Sequence, residues 1–261
     1  MSPRLSVLVP VHNEERTLPA LLDAVEARPE VYELVIVDDG STDATAEILV
    51  AREFRVPAQV IHHSTNRGKG SAIRTAIAAA SGDVAVIQDA DLEYDPADLP
   101  SLLAPLERQG VDVVFGTRSF SSHSAYSFWF VMGNKAVTLW NNVLFNSYLS
   151  DLETCYKLMP LEIWRLDLRS NGFEIEPEIT AKLLRHGYRI FKVPISYAAR
   201  SRAEGKKLTY RDGVRAVWTL GRIRASRRPA APATAREETA TVVQLPRPVE
   251  AADDARAKTA R

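Results

Sequence analysis

Cysteine is almost missing from this chain of 261 residues: Cys155 stands alone. No internal disulfide can form, which excludes a disulfide-stapled secreted scaffold and fits a reducing compartment. Long hydrophobic runs are missing too. A membrane span needs ~20 predominantly apolar residues, and every long apolar stretch here is interrupted by polar side chains. The run Leu5 to Val11 is short, contains Pro10 and leads straight into His12-Asn13-Glu14, so it reads as a buried strand rather than a signal peptide. The expected location is the cytoplasm, free or peripheral on the inner face of the cell membrane. Net charge is absent, with 33 basic against 33 acidic side chains, which gives no ground for a nucleic-acid partner. There is no Gly-x-Gly-x-x-Gly, and no Walker loop, because Gly70 follows Lys69 where Ser or Thr should stand. Kinase-like and NAD-dependent readings lose support accordingly. The five histidines show no ligand spacing, and His62 and His63, adjacent at a strand end, point to opposite faces.

What is present begins with charge segregation. Residues 1–100 carry 8 basic and 17 acidic side chains, whereas residues 200–228 carry 10 basic and 2 acidic ones, so one part suits cations and another anions. Short β-branched runs at 5–11, 34–37, 59–62, 84–88 and 111–115 alternate with helical patterns at 17–27, 44–54, 71–80 and 98–108. Apolar strands each followed by a helix predict an α/β fold with a mainly parallel sheet covered on both faces. Residues 128–149 combine aromatics with Asn134, Thr138, Asn141 and Asn142 at helical spacing, which predicts one or two amphipathic helices. A strand is expected over 153–159, a helix over 176–186 closed by Gly187, a strand over 189–197 and a basic helix over 209–226. Residues 1–226 then form one domain, including the helical segment 126–149, and 227–261, rich in Ala, Pro, Arg and Glu, form a disordered tail.

In open parallel sheets, ligands bind at the carboxyl ends of the strands, and the polar clusters sit there. Asp89-Ala90-Asp91 follows an apolar strand. Two carboxylates one residue apart suit a hard cation such as Mg²⁺, which takes one or two carboxylates plus phosphate oxygens. Asp38-Asp39-Gly40-Ser41-Thr42-Asp43 offers a Gly turn with Ser41 or Thr42 as helix cap. That leaves Asp38 and Asp39 to accept from ribose hydroxyls or base N–H groups. Asn66-Arg67-Gly68-Lys69-Gly70 supplies flexible backbone, two cations and a helix N-terminus, all suited to phosphate.

Together these motifs resemble family 2 glycosyltransferases of the GT-A fold over residues 4–226. Pro10-Val11-His12-Asn13-Glu14 is similar to the family's Pro-x-x-Asn-Glu opening, Asp38 to Asp43 to its Asp-Asp-Gly-Ser-Thr-Asp, Asn66 to Gly70 to its Asn-x-Gly-Lys-Gly, and Asp89-Ala90-Asp91 to its metal motif. The subgroup resembled is the synthases of dolichol-phosphate mannose and polyprenyl-phosphate sugars. The resemblance implies inverting transfer from a GDP- or UDP-sugar to a lipid phosphate, with Mg²⁺ or Mn²⁺ as cofactor. It implies that Pro10, Asn13, Glu14, Asp38, Asp39 and Ala90 bind the donor, with Lys69 at the nucleotide. Asp89, Asp91 and Glu93 would hold the metal, Asp91 acting catalytically there. Arg118 would bind phosphate, Asp151 would face the acceptor as a catalytic group, and Arg202, in the basic run Arg200 to Lys207, would close over the diphosphate. Cys155 reads as a buried, unreactive strand residue.

In such a reaction the cation, with Lys69 and Arg202, stabilises charge developing on the nucleoside diphosphate. A lipid phosphate is already anionic at pH 7, whereas a hydroxyl acceptor requires Asp151 to remove a proton, unless Asp151 only positions the acceptor. A transferase acting on a soluble hydroxyl and a non-catalytic nucleotide-sugar-binding protein are the alternatives. Phe128, Trp129, Phe130, Trp140 and Phe145 in one segment, and a helix carrying Arg211, Arg215, Arg222, Arg224, Arg227 and Arg228 with Trp218 and Ile223 in another, suit an anionic membrane surface. An aromatic core or a dimer interface is the competing reading.

Overall fold

The structure, a computed structural model, describes residues 3–118, 123–124, 128–200 and 209–227. A seven-stranded sheet is built from β1 (Leu5–Val11), β2 (Val31–Asp38), β3 (Ala58–His62), β4 (Val84–Ile87), β5 (Val113–Thr117), β7 (Lys157–Pro160) and β8 (Ile190–Pro194). A separate pair is formed by β6 (His123–Ser124) and β9 (Tyr197–Ala198). The order in the main sheet is β3-β2-β1-β4-β7-β5-β8. It is parallel except for β7, which runs antiparallel to both neighbours. Every residue of β1 is buried, as are Leu34 to Asp38 of β2, the pattern of central strands covered on both faces. Pro10 is tolerated in so central a strand because pairing with β4 stops at Leu8–Ile87, leaving β1 a single partner where the missing amide falls.

The covering helices are α1 (Leu18–Glu26), α2 (Thr45–Ala51), α3 (Lys69–Ala79), α4 (Leu99–Leu103), α5 (Phe128–Phe145), α6 (Leu161–Trp164), α7 (Ile175–His186) and α8 (Tyr210–Ala225). Proline sets two departures from the predicted elements. The helix expected over 98–108 breaks into α4 and flanking 3₁₀ turns, since Pro100 and Pro105 offer no amide donors. The strand expected over 189–197 divides at Pro194 into β8 and β9. The strand expected over 153–159 begins only at Lys157, because the chain before it curls so that the Leu152 and Thr154 carbonyls accept from the Lys157 ammonium. Gly187 closes α7 in the left-handed region at φ +87°, as its position predicts. From residue 228 the predicted tail lies outside the described residues.

The α5 helix is amphipathic in the reverse sense to an ordinary surface helix. Its polar stripe faces inward: Asn134 donates to Asp151, Thr138 accepts from the Leu152 amide, and Asn142 bonds both the amide and the carbonyl of Leu149. Its apolar side, with Phe128, Trp129, Met132, Leu139 and Val143, is exposed. The adjoining α8 starts at a Thr209–Asp212 capping box and buries Ala216, Leu220 and Ile223 against Val137, Leu149 and Ala181, while Tyr210, Val214 and Trp218 remain outside.

Candidate active site

The carboxyl ends of β1, β2, β4 and β5 open into a cleft of about 1220 Å³. Because β7 is reversed, the segment ahead of it, with Ser150, Asp151 and Glu153, reaches the same cleft. The β1–β2 register pairs Val11 with Asp38, which brings the His12-Asn13-Glu14 loop beside the Asp38–Asp43 loop. Asn13 takes φ +53°, a conformation asparagine tolerates. From there its amide donates to Ser41 Oγ (2.9 Å) and its Oδ1 accepts from the Thr42 amide (2.8 Å). Ser41 and Thr42 therefore tie two loops together instead of capping α2, whose Thr45 amide bonds Asp43 (3.0 Å). Pro10, Asn13, Glu14, Asp39, Lys69, Ala90 and Arg118 all line the cleft.

Asp38, expected at the nucleoside, is engaged elsewhere. Its buried carboxylate accepts from the Ser41 amide (3.1 Å) and hydroxyl (2.5 Å) and pairs with His62 Nδ1 (3.1 Å). Asp39 shapes the glycine-rich loop by accepting from the Arg67 (3.0 Å) and Gly68 (2.6 Å) amides while pairing with His63 (2.7 Å). Each of the two histidines thus serves one aspartate. Glycine in that loop provides close approach rather than flexibility. A Cβ on Gly68 would collide with the Asn171 carbonyl and one on Gly70 with the Ser170 carbonyl. The Gly70 amide donates to Asn171 O (2.7 Å), as does that of Ser71 (3.2 Å), so these first-turn donors of α3, expected to receive phosphate, are already satisfied.

Each aspartate of the Asp-x-Asp motif meets a cation that holds a second carboxylate. Lys69 Nζ lies 2.7 Å from Asp89 Oδ1 and 3.2 Å from Glu176 Oε1. Arg200 lies 3.0 Å from Asp91 Oδ2 and bonds both oxygens of Glu14 (3.0 and 3.2 Å). Burial, then the charges of Asp89 and Glu93, push the Asp91 carboxyl up to about 7 against the pull of Arg200. For Lys69, burial works against the charge, yet Asp89 foremost, with Glu176 also contributing, holds the ammonium well above its ordinary range. Glu93, expected as a third metal ligand, lines the cleft and accepts from the Tyr197 hydroxyl (2.7 Å) and the Arg200 amide (2.8 Å), fixing the segment after β9 that carries Arg200. Among the described residues no three acidic, histidine or cysteine side chains converge as a metal cage. Two mutually repelling carboxylates in a cleft fit a hard cation whose other positions are filled by phosphate oxygens and water. Arg202 lies outside the described residues.

The other end of the cleft is built around Arg118. Its guanidinium grips Asp151 through Nε–Oδ2 (2.6 Å) and Nη2–Oδ1 (2.7 Å), and lies 4.8 Å from the Tyr197 ring centre. Burial opposes the Asp151 charge, but Arg118, with help from Asn134, keeps the carboxyl below the usual range. With both oxygens bonded and its charge favoured by Arg118, Asp151 is placed to orient that guanidinium. Glu153 lines the cleft nearby, and burial pushes its carboxyl up. Lys135, Arg211 and Arg215 line the cleft as well. Two further residues of the site carry weak signals in the sequence: Glu176, a charge on the apolar face shared by Ile179 and Leu183, and Lys157, a lysine inside a strand pattern. Cys155 is buried, and burial pushes its thiol well up, as its inert reading requires.

This fold is GT-A. It superposes on glucosyl-3-phosphoglycerate synthase of Mycobacterium tuberculosis with a TM-score of 0.68 and 22% identity, over 85% of this chain and 80% of that one. The chain belongs to glycosyl transferase family 2, whose pattern matches residues 6–158. It is 40% identical over 121 residues to an undecaprenyl-phosphate 4-deoxy-4-formamido-L-arabinose transferase of Photorhabdus laumondii, covering 44% of this chain and 37% of the relative. A dodecaprenyl-phosphate galacturonate synthase of Rhizobium johnstonii is 38% identical over 121 residues, 44% of this chain and 36% of its own. The matched region thus spans less than half the length of these curated relatives.

Proposed function

We propose that residues 1–226 form the transferase domain of an inverting enzyme that moves a sugar from a nucleoside diphosphate sugar to a polyprenyl phosphate. The observation that carries the reading is the Arg118–Asp151 pair. A carboxylate that accepts both arms of an arginine orients a fork for an anionic oxygen ligand, and an acceptor phosphate needs no base. Its oxygen attacks the anomeric carbon as the bond to the diphosphate breaks, and the electron pair leaves on the nucleoside diphosphate. Lys69 and Arg200 sit where that charge develops. Asp89 and Asp91 would hold Mg²⁺ or Mn²⁺, which supplies Lewis-acid stabilisation of the same charge. The polyprenyl-phosphate names of both relatives support this acceptor class.

The exposed apolar side of α5 and the basic α8 support a partner surface of anionic lipid, on which a polyprenyl acceptor would be presented. No helix among the described residues is long and apolar enough to cross a membrane. An interfacial helix instead binds through apolar area and cationic side chains. We place this surface at the inner face of the cell membrane.

The test is transfer from radiolabelled UDP- and GDP-sugars to undecaprenyl phosphate in detergent micelles, scored by label extracted into organic solvent. Label appearing solely in a water-soluble hydroxyl acceptor overturns the lipid-phosphate reading. Glu153 favours that second reading, being a raised carboxyl on the cleft wall, and Glu153→Gln would then abolish transfer.

A further inference from the structure

Glu176 enters the cleft wall from the first turn of α7 and is buried. Its Oε2 is bonded by Lys157, itself fully buried in β7 and also held by the Leu152 and Thr154 carbonyls. Its Oε1 lies 3.2 Å from Lys69 Nζ, yet no donor meets that oxygen in hydrogen-bond geometry. The better-formed contact of Lys69 is with Asp89, at 2.7 Å. One fixed pair, Lys157–Glu176, therefore stands behind a lysine that has a choice of carboxylates. A buried acceptor lacking its donor is costly, so Oε1 is a ready second seat for the ammonium.

We propose that Glu176, backed by Lys157, is a positioning residue that takes over Lys69 when Asp89 binds a divalent cation. This role rests on the metal reading of Asp89 and Asp91. Without Glu176, Lys69 has Asp89 as its remaining ion-pair partner at this point and competes with the metal for it. With Glu176, the lysine stays in the cleft as a second positive charge facing the diphosphate, and the cation takes Asp89 unopposed. The same logic explains why a buried lysine such as Lys157 belongs in the strand: it fixes one oxygen of Glu176 so that the other points at Lys69.

The experiment is a double-mutant cycle read by Mn²⁺ binding. Mn²⁺ is titrated, alone and with uridine diphosphate, and followed by electron paramagnetic resonance in the wild type, Glu176→Gln, Lys69→Met and the double variant. Glu176→Gln is expected to weaken Mn²⁺ binding roughly fivefold or more when Lys69 is present, and to have little effect in the Lys69→Met background. Because Glu176→Gln strands the Lys157 charge, Glu176→Gln with Lys157→Met repeats the cycle with that charge removed, and thermal melts report folding. Equal loss in both backgrounds, or no loss when Lys69 is present, overturns the positioning role alone. A wild-type chain that binds no Mn²⁺ under either condition overturns the metal reading and this role with it.

Discussion

Asp151 holds Arg118 by both carboxylate oxygens, and Asn134 of α5 donates to the same carboxylate at 3.1 Å. The helix that shows its apolar side to the exterior thus helps to set Arg118. Asp151→Asn keeps the shape and removes the charge that orients Arg118. It is expected to lower turnover roughly 100-fold, the scale set by a misplaced binding group, at every pH from about 6 to 9. A pH–rate profile that loses its acid limb would assign Asp151 the base role that its geometry argues against.

Gly70→Ala drives a Cβ into the Ser170 backbone. Overpacking of this kind costs about 1–3 kcal/mol, and the melting temperature should fall with donor affinity. Gly133→Ala is the control, since a Cβ there meets nothing within 4 Å and glycine inside a helix is worse than alanine by roughly 0.5–1 kcal/mol. That variant should melt slightly higher.

Trp129 is 81% exposed and Trp218 66%, so replacing both by serine removes little internal packing. The variant should fold and melt as the wild type does, yet lose flotation with anionic vesicles. Binding of the wild type should weaken with salt, since each Lys or Arg near the surface contributes about 1 kcal/mol that ions screen. Equal flotation of the two proteins would assign the aromatic face to another partner.

Near the amino end of β2, away from the cleft, Glu33 accepts from Ser6 Oγ (2.6 Å), the Ser81 amide (2.6 Å) and the Gly82 amide (3.2 Å). Burial works against its charge, but these donors hold the carboxyl below its ordinary range. A depressed folded value means stability complete above the unfolded value, about 4.3, and lost as pH falls through the folded one. Glu33→Gln should cost about 1–3 kcal/mol near neutrality, with the gap to wild type closing on acidification. Melts across the acid range decide this, and a constant gap would refute the linkage.

Most of the sheet was legible because fully apolar strands followed by helices leave few alternatives, and the β1 boundaries came out residue for residue. The loops after β1, β2 and β4 were legible as cleft walls because each follows a parallel strand. The Arg118–Asp151 end was harder, since nothing in Lys157 to Pro160 announces that this strand runs backwards and delivers the residues ahead of it to the site. The α5 stripe was visible as periodicity, but periodicity does not say which side faces in. That depended on the backbone of residues 147–152 needing partners. The contacts of Asp38 with His62 and of Glu93 with Tyr197 were not legible for a shared reason: the fold brings together partners that are not adjacent in sequence.

Leu158 of β7 pairs with Val86 of β4 on one side and Val114 of β5 on the other. This short strand is therefore the common ruler for the two halves of the cleft, since Asp89 and Asp91 follow β4, Arg118 follows β5 and Asp151 precedes β7. A slip of one residue would turn its side chains over to the opposite faces and shift Asp151 along relative to Arg118. The spacing between the Asp89–Asp91 end and the Arg118–Asp151 end is in this sense laid down when the sheet assembles, and inserting one residue between Asp151 and Lys157 should break the grip of Asp151 on Arg118 while leaving the Asp89–Asp91 end intact.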